Sequence, residues 1–400
     1  MKLWQVEDQS PLPPFRGSPF SIRGPAQNCY ISGVSLPTHF RDILSGSRRG
    51  LVAPCARLML AALEPVYGWA VRRKNRQFDS GYAVAVRVDA PVISVGNLTV
   101  GGTGKTPLVY SLAAWLREQG KQVTLISRGY GSRGGPNDEA LELADRLPDV
   151  PHLQNADRVA AARQAIEQNP GQVLLLDDGF QHRRIARDLD IVLLDALEPF
   201  GYGHLLPRGL LREPVEGLKR AHVIGLSRAD AVSPARRDEI RGQVERLAPD
   251  ARWIELAHQP RGLVSSSGSR MDLSEIRGRQ VAAFCGIGNP AGFRHTLSQC
   301  GASVAAMREL PDHCSYDAPV MRELEAWLSR ASGFTAVLCT RKDLVKIPRE
   351  TLAGAPLLAV DVELEITRGR EEFEERLRKC LHKPEAQAKE SAVVMTGRTG

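Results

Sequence analysis

The stretch PVISVGNLTVGGTGKTP, residues 91–107, contains a short apolar run, a glycine-rich turn and the beginning of a helical pattern. A continuous apolar run such as 91–96 is typical of a strand that is buried on both faces of a parallel sheet. Glycines let the backbone turn its N–H groups toward an anion, and the N-terminus of the following helix attracts the same charge. The order of strand, glycine-rich loop and helix therefore predicts phosphate binding at the end of this strand.

The predicted nucleotide loop has eight residues, namely Thr99, Val100, Gly101, Gly102, Thr103, Gly104, Lys105 and Thr106. The ammonium group of Lys105 is expected to contact the β- and γ-phosphates, and the hydroxyl of Thr106 is expected to bind Mg²⁺. The strict pattern begins with glycine, and this chain has Thr99 at that position. The alternative interpretation is a glycine-rich turn that carries an exposed lysine.

Short apolar runs alternate with helical stretches through residues 81–265. Strands are predicted at 91–96, 122–127, 172–177, 190–195 and 221–226, and helices near 105–119, 156–168, 213–220 and 234–246. Such alternation is typical of a parallel sheet with helices on both faces. We therefore expect an α/β fold in which this range forms a P-loop NTPase-like parallel sheet domain.

A second, smaller α/β domain is predicted over residues 275–382. A turn-rich stretch at 259–275 interrupts the first pattern, and the alternation then begins again. The elements predicted here are strands at 280–285 and 334–339 and helices near 290–299 and 319–330.

The composition, 42% hydrophobic and 25% charged over 400 residues, excludes a wholly disordered, fibrous or polytopic membrane chain. Residues 1–40 have no apolar core of a secretory signal and are expected to form a disordered extension, and 383–400 a disordered tail. The cysteines indicate reduced thiols in a cytoplasmic protein rather than a zinc site, because they are odd in number, widely spaced and without a C-x-x-C pair. They are Cys29, Cys55, Cys285, Cys300, Cys314, Cys339 and Cys380.

The positive charge of the chain is concentrated at its amino-terminal end. Residues 1–80 contain 11 Lys and Arg against 5 Asp and Glu, so they account for nearly all of the net charge of +7. The nearly neutral remainder disfavours a nucleic-acid enzyme, which normally has basic surface around its active site.

An apolar segment at 51–71 lies between Arg48-Arg49 and Arg72-Arg73-Lys74. It contains charges and prolines that a spanning helix would avoid, so residues 41–80 are predicted to form a basic, amphipathic helical segment on an anionic membrane surface. Arg57 and Glu64 are two helical turns apart and are expected to share one wet face. The alternative is an ordinary surface helix that packs on the following domain.

Carboxylates follow two of the predicted strands. Asp177 and Asp178 end the run 172–177, where a strand beside the phosphate loop supplies an acid to Mg²⁺ or its water shell. Gln181 and His182 come next and are possible supporting residues. Asp138 and Glu139 lie past the run 122–127, at the sheet edge where ligands of open α/β sheets bind. Asp138 is a candidate to orient or deprotonate a phosphate acceptor, or alternatively a helix N-cap.

Taken together, these motifs resemble the tetraacyldisaccharide 4'-kinase family, the lipid A 4'-kinases, over roughly residues 41–380. The resemblance rests on GNLTVGGTGKTP, SRGYG, NDEA, LLLDDGFQHRR, LPRGLLREP, SRAD, FCGIGNP, LPDH and TRKDLVK, in this order. The combination of DDGFQHRR with GGTGKTP is highly specific, because ordinary P-loop proteins do not combine the two.

The resemblance implies an ATP- and Mg²⁺-dependent kinase that phosphorylates the 4'-hydroxyl of a tetraacylated glucosamine disaccharide 1-phosphate. It implies a peripheral enzyme on the cytoplasmic face of the inner membrane, and we infer no nucleic-acid partner and no obligate protein partner. Carried onto this sequence, it assigns a catalytic aspartate to Asp138 and its partner histidine to His313. It also assigns the metal-associated acids to Asp177 and Asp178 and a neighbouring histidine to His182.

This chain departs from the family pattern beside both members of the implied dyad. Asn137 and Ala140 replace the usual Gly and Pro around Asp138, and Cys314 follows His313 where many relatives have a second histidine or another polar residue. Two other functions remain as alternatives. Ser227-Arg228-Ala229-Asp230 has the layout of a guanine-reading loop, which favours a GTPase switch, although the usual Asn-Lys pair is missing. A non-catalytic, membrane-associated ATP-binding module is the other.

Overall fold

The computed structural model of the protein describes residues 43–46, 52–129 and 138–381. The side chains of Val52, Asp138 and Glu139 are outside this description. The extension predicted at 1–40 and the tail predicted at 383–400 also lie outside the described residues.

Thirteen strands of the described chain form one sheet, and helices follow many of them. The strands are β1 Val92–Asn97, β2 Val123–Ser127, β3 His152–Gln154, β4 Val173–Asp177, β5 Leu189–Asp195, β6 Val223–Ser227, β7 Arg252–Val264, β8 Arg270–Met271, β9 Gln280–Cys285, β10 Ser303–Glu309, β11 Ala336–Thr340, β12 Thr351–Leu352 and β13 Ala355–Arg368. The α-helices numbered in this structure are α1 Val52–Asp79, α2 Lys105–Glu118, α3 Asp138–Arg146, α4 Arg158–Gln168, α5 Pro234–Leu247, α6 Pro290–Gln299, α7 Ala318–Leu328, α8 Arg341–Leu344 and α9 Arg370–Leu381.

The strand order is β10-β9-β11-β13-β7-β6-β5-β1-β4-β2-β3, with β8 and β12 paired to β7 and β13. Strands β3 to β7 of this order pair in parallel, and so do β13, β11, β9 and β10. The two parallel blocks meet at one antiparallel pair, the long strands β7 and β13. This arrangement confirms the predicted α/β fold with a parallel-dominated sheet.

The β7–β13 pair corrects the prediction of a turn-rich boundary at 259. Residues 259–264 belong to β7, so the turns begin only at Ser265. The sequence pattern does not predict β3, β7, β8, β10, β12 or β13. Strands β3, β8 and β12 are very short and β10 is an exposed edge strand, so they give a weak apolar signal. Strands β7 and β13 are long, and their pairing joins residues far apart in the chain. A division into two domains stays a prediction, since β7 and β13 join both blocks into one sheet.

The predicted helices correspond to α2, α4, α5, α6 and α7, with small shifts at their ends. The helix predicted at 213–220 is wrong in type, because Val215–Arg220 is a 3₁₀ helix. It begins directly after Pro214 and contains Gly217, and such short, tight turns are typical of connecting segments.

Helix α1 has Arg57 and Glu64 turned toward the protein and several apolar residues turned outward. Arg57 donates to the carbonyl oxygen of Ile43 at 3.1 Å, and Glu64 accepts from the backbone N–H of Leu205 at 2.8 Å. The expectation that Arg57 and Glu64 form a wet face is therefore wrong. The outer surface instead carries Leu58, which is 74% exposed, with Met59, Leu63, Val66 and Trp69. Over the described helices, none combines the length and apolarity that crossing a membrane requires.

The centre of the sheet is packed without space for an extra atom at Gly96, in β1. A Cβ at this position would lie 2.5 Å from the Cβ of Phe180 and 2.8 Å from its backbone nitrogen. Phe180 is fully buried directly after the acidic end of β4. The absence of a side chain at Gly96 therefore lets the segment that follows β4 lie flat against β1.

We expect Gly96→Ala to lower the free energy of unfolding by about 1–3 kcal/mol, because overpacking displaces backbone as well as side chain. Urea denaturation measures this change. Gly242→Ala is the control, since Gly242 lies inside α5 and its added Cβ would meet nothing closer than 3.9 Å. This control is expected to be neutral or stabilising by up to about 1 kcal/mol. Equal stability of Gly96→Ala and the native protein would contradict the packing argument.

Candidate active site

The glycine-rich loop connects β1 to α2, as the sequence predicts. Gly104 has a φ of 84° and precedes the first residue of α2, Lys105. A Cβ at Gly104 would lie 2.7 Å from Nε2 of His258 and 2.8 Å from Oγ of Ser227. Both the left-handed backbone and the close neighbours therefore require glycine here.

Lys105 is buried at 8% exposure, which excludes the alternative of an exposed lysine on a turn. Its Nζ donates to Oδ1 of Asn97 at 3.3 Å and lies 3.5 Å from Oδ1 of Asp178. Thr103 and Thr106 are also buried, and within the described part of the chain Oγ1 of Thr103 has no hydrogen-bond partner. A buried hydroxyl of this kind fits a loop whose polar groups serve a bound anion.

The pairing of β1 with β4 brings the acidic pair beside the loop, because Val95 is in register with Asp177. Asp178 follows with a φ of 55° and accepts hydrogen bonds from Arg212 at 2.7 and 2.8 Å. Burial would raise the pKa of this carboxyl, but the charges of Arg212 and Lys105 outweigh it and hold the pKa far below its usual range. Asp178 is therefore a permanent anion between two cations.

Gln181 connects this ion cluster to the strand that precedes the loop. Its Nε2 donates to the carbonyl oxygen of Asn97 at 2.9 Å and to Oε1 of Glu213 at 3.1 Å, and its Oε1 lies 3.4 Å from Arg212. These three bonds use both ends of the amide. Gln181 consequently supports the geometry of Arg212 and Asp178.

His182 is a neutral ring at physiological pH. Burial and the charges of Arg158 and Lys74 lower its pKa to about 3. Its Nε2 is buried and has no hydrogen-bond partner among the described residues. Arg158 influences the pKa of both His182 and Asp178, so the three groups share one charged environment.

The loop after β9 lies against the glycine-rich loop. A Cβ at Gly288 would be 3.1 Å from the backbone nitrogen of Gly102 and 2.7 Å from Oδ2 of Asp312. Asp312 accepts from the backbone N–H of His313 at 3.1 Å, and the His313 side chain is partly exposed. The fold thus brings the segment that contains His313 close to the phosphate-binding loop.

Asp138 is the first residue of α3. Because the side chains of Asp138 and Glu139 lie outside the described residues, their distance to His313 is not established, and the Asp138–His313 dyad stays a prediction.

Sequence reasoning did not single out Arg212 and Glu213, although both lie in the quoted motif LPRGLLREP. Glu213 is buried and accepts from Arg220 at 2.8 Å and from Asn75 at 3.0 Å. Its contact with Asn75 joins the cluster to α1, whose Tyr67 donates to the carbonyl oxygen of Arg212 at 2.8 Å. The available sequence signal for a functional role was the pair of adjacent charged residues, Arg212 and Glu213, directly before Pro214.

Lys74 provides another link between α1 and the site. Its Nζ donates to the carbonyl oxygen of Gln181 at 2.8 Å, and burial lowers its pKa to about 7. Glu213 partly offsets this effect of burial. Helix α1 is thus hydrogen-bonded directly to the loop that follows Asp177 and Asp178.

The segment with the layout of a guanine-reading loop is engaged by protein partners. Asp230 accepts from Nε2 of Gln299 at 2.7 Å and lies 2.7 Å from Nε2 of His295. Arg228 is buried and donates a hydrogen bond to Asp195. These contacts disfavour base reading by this segment and, with it, the GTPase alternative.

The described side chains contain no group of three or more His, Cys, Asp or Glu residues that could hold a metal ion. This finding is compatible with Mg²⁺ in a nucleotide site, where one or two carboxylates act together with substrate phosphates and water. The hydroxyl of Thr106 and the carboxylate of Asp177 are hard oxygen donors at the same sheet edge and fit this ion. Asp178 fits less well as a direct ligand, because Arg212 already binds both of its oxygens.

Comparison with known proteins agrees with the geometry. The family described as Tetraacyldisaccharide-1-P 4'-kinase matches residues 56–382. A protein named Tetraacyldisaccharide 4'-kinase from Anaeromyxobacter sp. (strain K) is 40% identical over 359 residues, which are 84% of this chain and 93% of that protein. One of the same name from Syntrophus aciditrophicus (strain SB) is 37% identical over 338 residues, covering 77% and 89%.

A crystal structure of the "apo" form of LpxK from Aquifex aeolicus in complex with ATP has the same fold. It superposes with a TM-score of 0.64 at 27% identity and covers 82% of this chain and all of that one. The sequence match and the shared fold lead to one conclusion: this chain belongs to the tetraacyldisaccharide-1-P 4'-kinase family.

Proposed function

We propose that this protein transfers the γ-phosphate of ATP to the 4'-hydroxyl of a tetraacyldisaccharide 1-phosphate, a step of lipid A biosynthesis. The observation that carries the proposal is the cluster of Lys105, Asp178 and Arg212 at the mouth of the glycine-rich loop, in a chain of this kinase family. Fixed charges aimed at a transferring phosphoryl group are the main source of catalysis in such reactions.

Lys105 is the residue proposed to contact the β- and γ-phosphates. In this structure its ammonium group is held between Asn97 and Asp178, so its position is set before any ligand binds. Backbone N–H groups of the glycine-rich loop would face the phosphates, as expected of a loop that leads into a helix N-terminus.

Thr106 and Asp177 are the residues proposed to hold Mg²⁺, with Asp178 beside them. A bound Mg²⁺ would supply positive charge that offsets the charge of the phosphates. Asp178 contributes in another way, because it fixes the guanidinium of Arg212 with two hydrogen bonds. Gln181 and the neutral His182 are proposed to support this arrangement.

Asp138 is proposed as the base that accepts the proton of the attacking hydroxyl, with His313 as its orienting partner. Support comes from the fold: Asp138 begins α3, and the loop of His313 lies beside the glycine-rich loop. A catalytic base must lie within hydrogen-bond reach of the proton that it accepts.

The proposed substrate is acylated and anionic, so the enzyme must meet it at a membrane surface. We place residues 41–80 on the cytoplasmic face of the inner membrane, where the protein would bind peripherally. The exposed apolar residues of α1 support this, as does Arg73, whose guanidinium lies 5.9 Å from the ring centre of Trp69. An apolar outer face with basic neighbours favours anionic lipid.

We expect Lys105→Ala to lower transfer of labelled γ-phosphate to tetraacyldisaccharide 1-phosphate in detergent micelles by on the order of 100-fold or more, because it removes a charge aimed at the phosphates. Lys219→Ala is the control, since Lys219 is an exposed lysine on the 3₁₀ helix. It should keep full activity. Labelled lipid formed by Lys105→Ala at close to the native rate would refute the assigned role.

Asp138→Asn is expected to reduce kcat by about 10²–10⁴-fold, the usual contribution of a general base, while ATP affinity stays unchanged. Single-turnover phosphorylation and ATP titration separate the two quantities. The exposed Asp250→Asn serves as a matched control. Full turnover in the Asp138 variant would show that another group accepts the proton.

Membrane binding is tested by co-sedimentation with vesicles of phosphatidylcholine and phosphatidylglycerol. Replacing Leu63 and Trp69 together by Glu should reduce the bound fraction by about tenfold or more, because two apolar anchors are lost. Val304→Glu, on the exposed strand β10, is the control and should bind like the native protein. Undiminished binding of the double variant would move the membrane contact away from α1.

A further inference from the structure

Arg228 is a buried arginine that binds both Asp195 and the glycine-rich loop. It follows β6 with a φ of 57° and is only 4% exposed. Its Nε and one terminal nitrogen donate to the two oxygens of Asp195 at 3.2 and 2.7 Å, and the same terminal nitrogen donates to the carbonyl oxygen of Gly102 at 2.5 Å. The guanidinium therefore binds a backbone carbonyl of the loop itself.

Asp195 continues the network to the other half of the sheet. It ends β5, is buried, and accepts a hydrogen bond from Nδ2 of Asn289 at 2.6 Å. Asn289 is the N-cap of α6, where its Oδ1 accepts from the backbone N–H of Gly292 at 3.0 Å. One carboxylate thus joins the loop-binding arginine to the start of α6.

The first turn of α6 lies directly on the guanidinium of Arg228. A Cβ at Gly292 would be 3.1 Å from Nε and 3.2 Å from Cζ, so a larger residue would displace the arginine. Asn289 also approaches the loop, since a Cβ at Gly102 would be 3.7 Å from its backbone nitrogen. The loop, Arg228 and α6 are therefore packed as one unit.

The contact with Gly102 determines the direction of a peptide group in the loop. In a planar trans peptide the carbonyl and the following N–H point in opposite directions, so holding the carbonyl of Gly102 also sets the N–H of Thr103. Replacing a buried ion pair by apolar packing is often neutral for stability, whereas removing one partner is strongly destabilising. The test variants therefore keep a charged or polar group at each position.

We propose that Arg228 is a positioning residue for ATP binding, and that Asp195 and Asn289 couple the shape of the glycine-rich loop to helix α6. The inference rests on the proposed use of ATP, but not on the identity of the acceptor.

The experiment compares Arg228→Lys with Asn289→Ser. Lysine keeps the charge but cannot bind both Asp195 oxygens and the Gly102 carbonyl at once. Serine keeps a good N-cap for α6 but loses the bond to Asp195. Arg294→Lys is the control, because Arg294 lies on the same helix and pairs at 2.8 Å with Glu309 on the exposed side.

For both test variants we expect the Kd and KM for ATP to rise about tenfold, the effect of losing one charge-assisted hydrogen bond. The KM for the lipid and the thermal unfolding midpoint should stay as in the native protein and in the control. Because the two residues act through one carboxylate, the double variant should lose less ATP affinity than the product of the single effects.

Native ATP affinity in both single variants would overturn the positioning role. If Arg228→Lys failed to fold, native ATP affinity in Asn289→Ser alone would overturn it. Parallel losses of ATP affinity, lipid affinity and thermal stability would assign the network a purely structural role. Multiplicative effects in the double variant would overturn the coupling to α6. ATP titration needs no lipid, so a native protein that binds ATP but transfers no phosphate would refute the proposed function and leave this test valid.

Discussion

The parallel pairing of β1 with β4 is the constraint on which the site depends. Its register places Val95 opposite Asp177, so the glycine-rich loop and the acidic pair leave the sheet at the same edge. The missing side chain at Gly96 lets Phe180 and its segment lie close to β1. In this arrangement Lys105 contacts both Asn97 and Asp178.

The charged groups at this edge of the sheet stabilise one another's ionised forms. Asp178 is an anion because Lys105 and Arg212 surround it, and these two cations are tolerated in a buried place because Asp178 lies between them. Glu213 and Gln181 then hold Arg212 and the strand end in place. The cluster is preorganised before a ligand arrives, as electrostatic catalysis requires.

Helix α1 lies between this cluster and the solvent-exposed surface. Its inner face carries Tyr67, Lys74 and Asn75, which bond to the loops of Arg212, Gln181 and Glu213. Its outer face is apolar. One face of α1 therefore contacts the loops of the site, and the opposite face is the one proposed to bind lipid. The network of Arg228 gives the glycine-rich loop a comparable link to α6.

The features that depend on neighbouring residues along the chain could be predicted from sequence alone. These are the order of strand, loop and helix around Gly104, the parallel α/β pattern, the acids at the end of β4 and the family. Other features can be read only from the folded structure. Glu64 faces inward, and β7 pairs antiparallel with β13. Arg212 binds Asp178, and Arg228 binds the carbonyl oxygen of Gly102. The physical reason is that these contacts join residues far apart in the chain, and their partners depend on how helices and strands pack rather than on local propensity or periodicity.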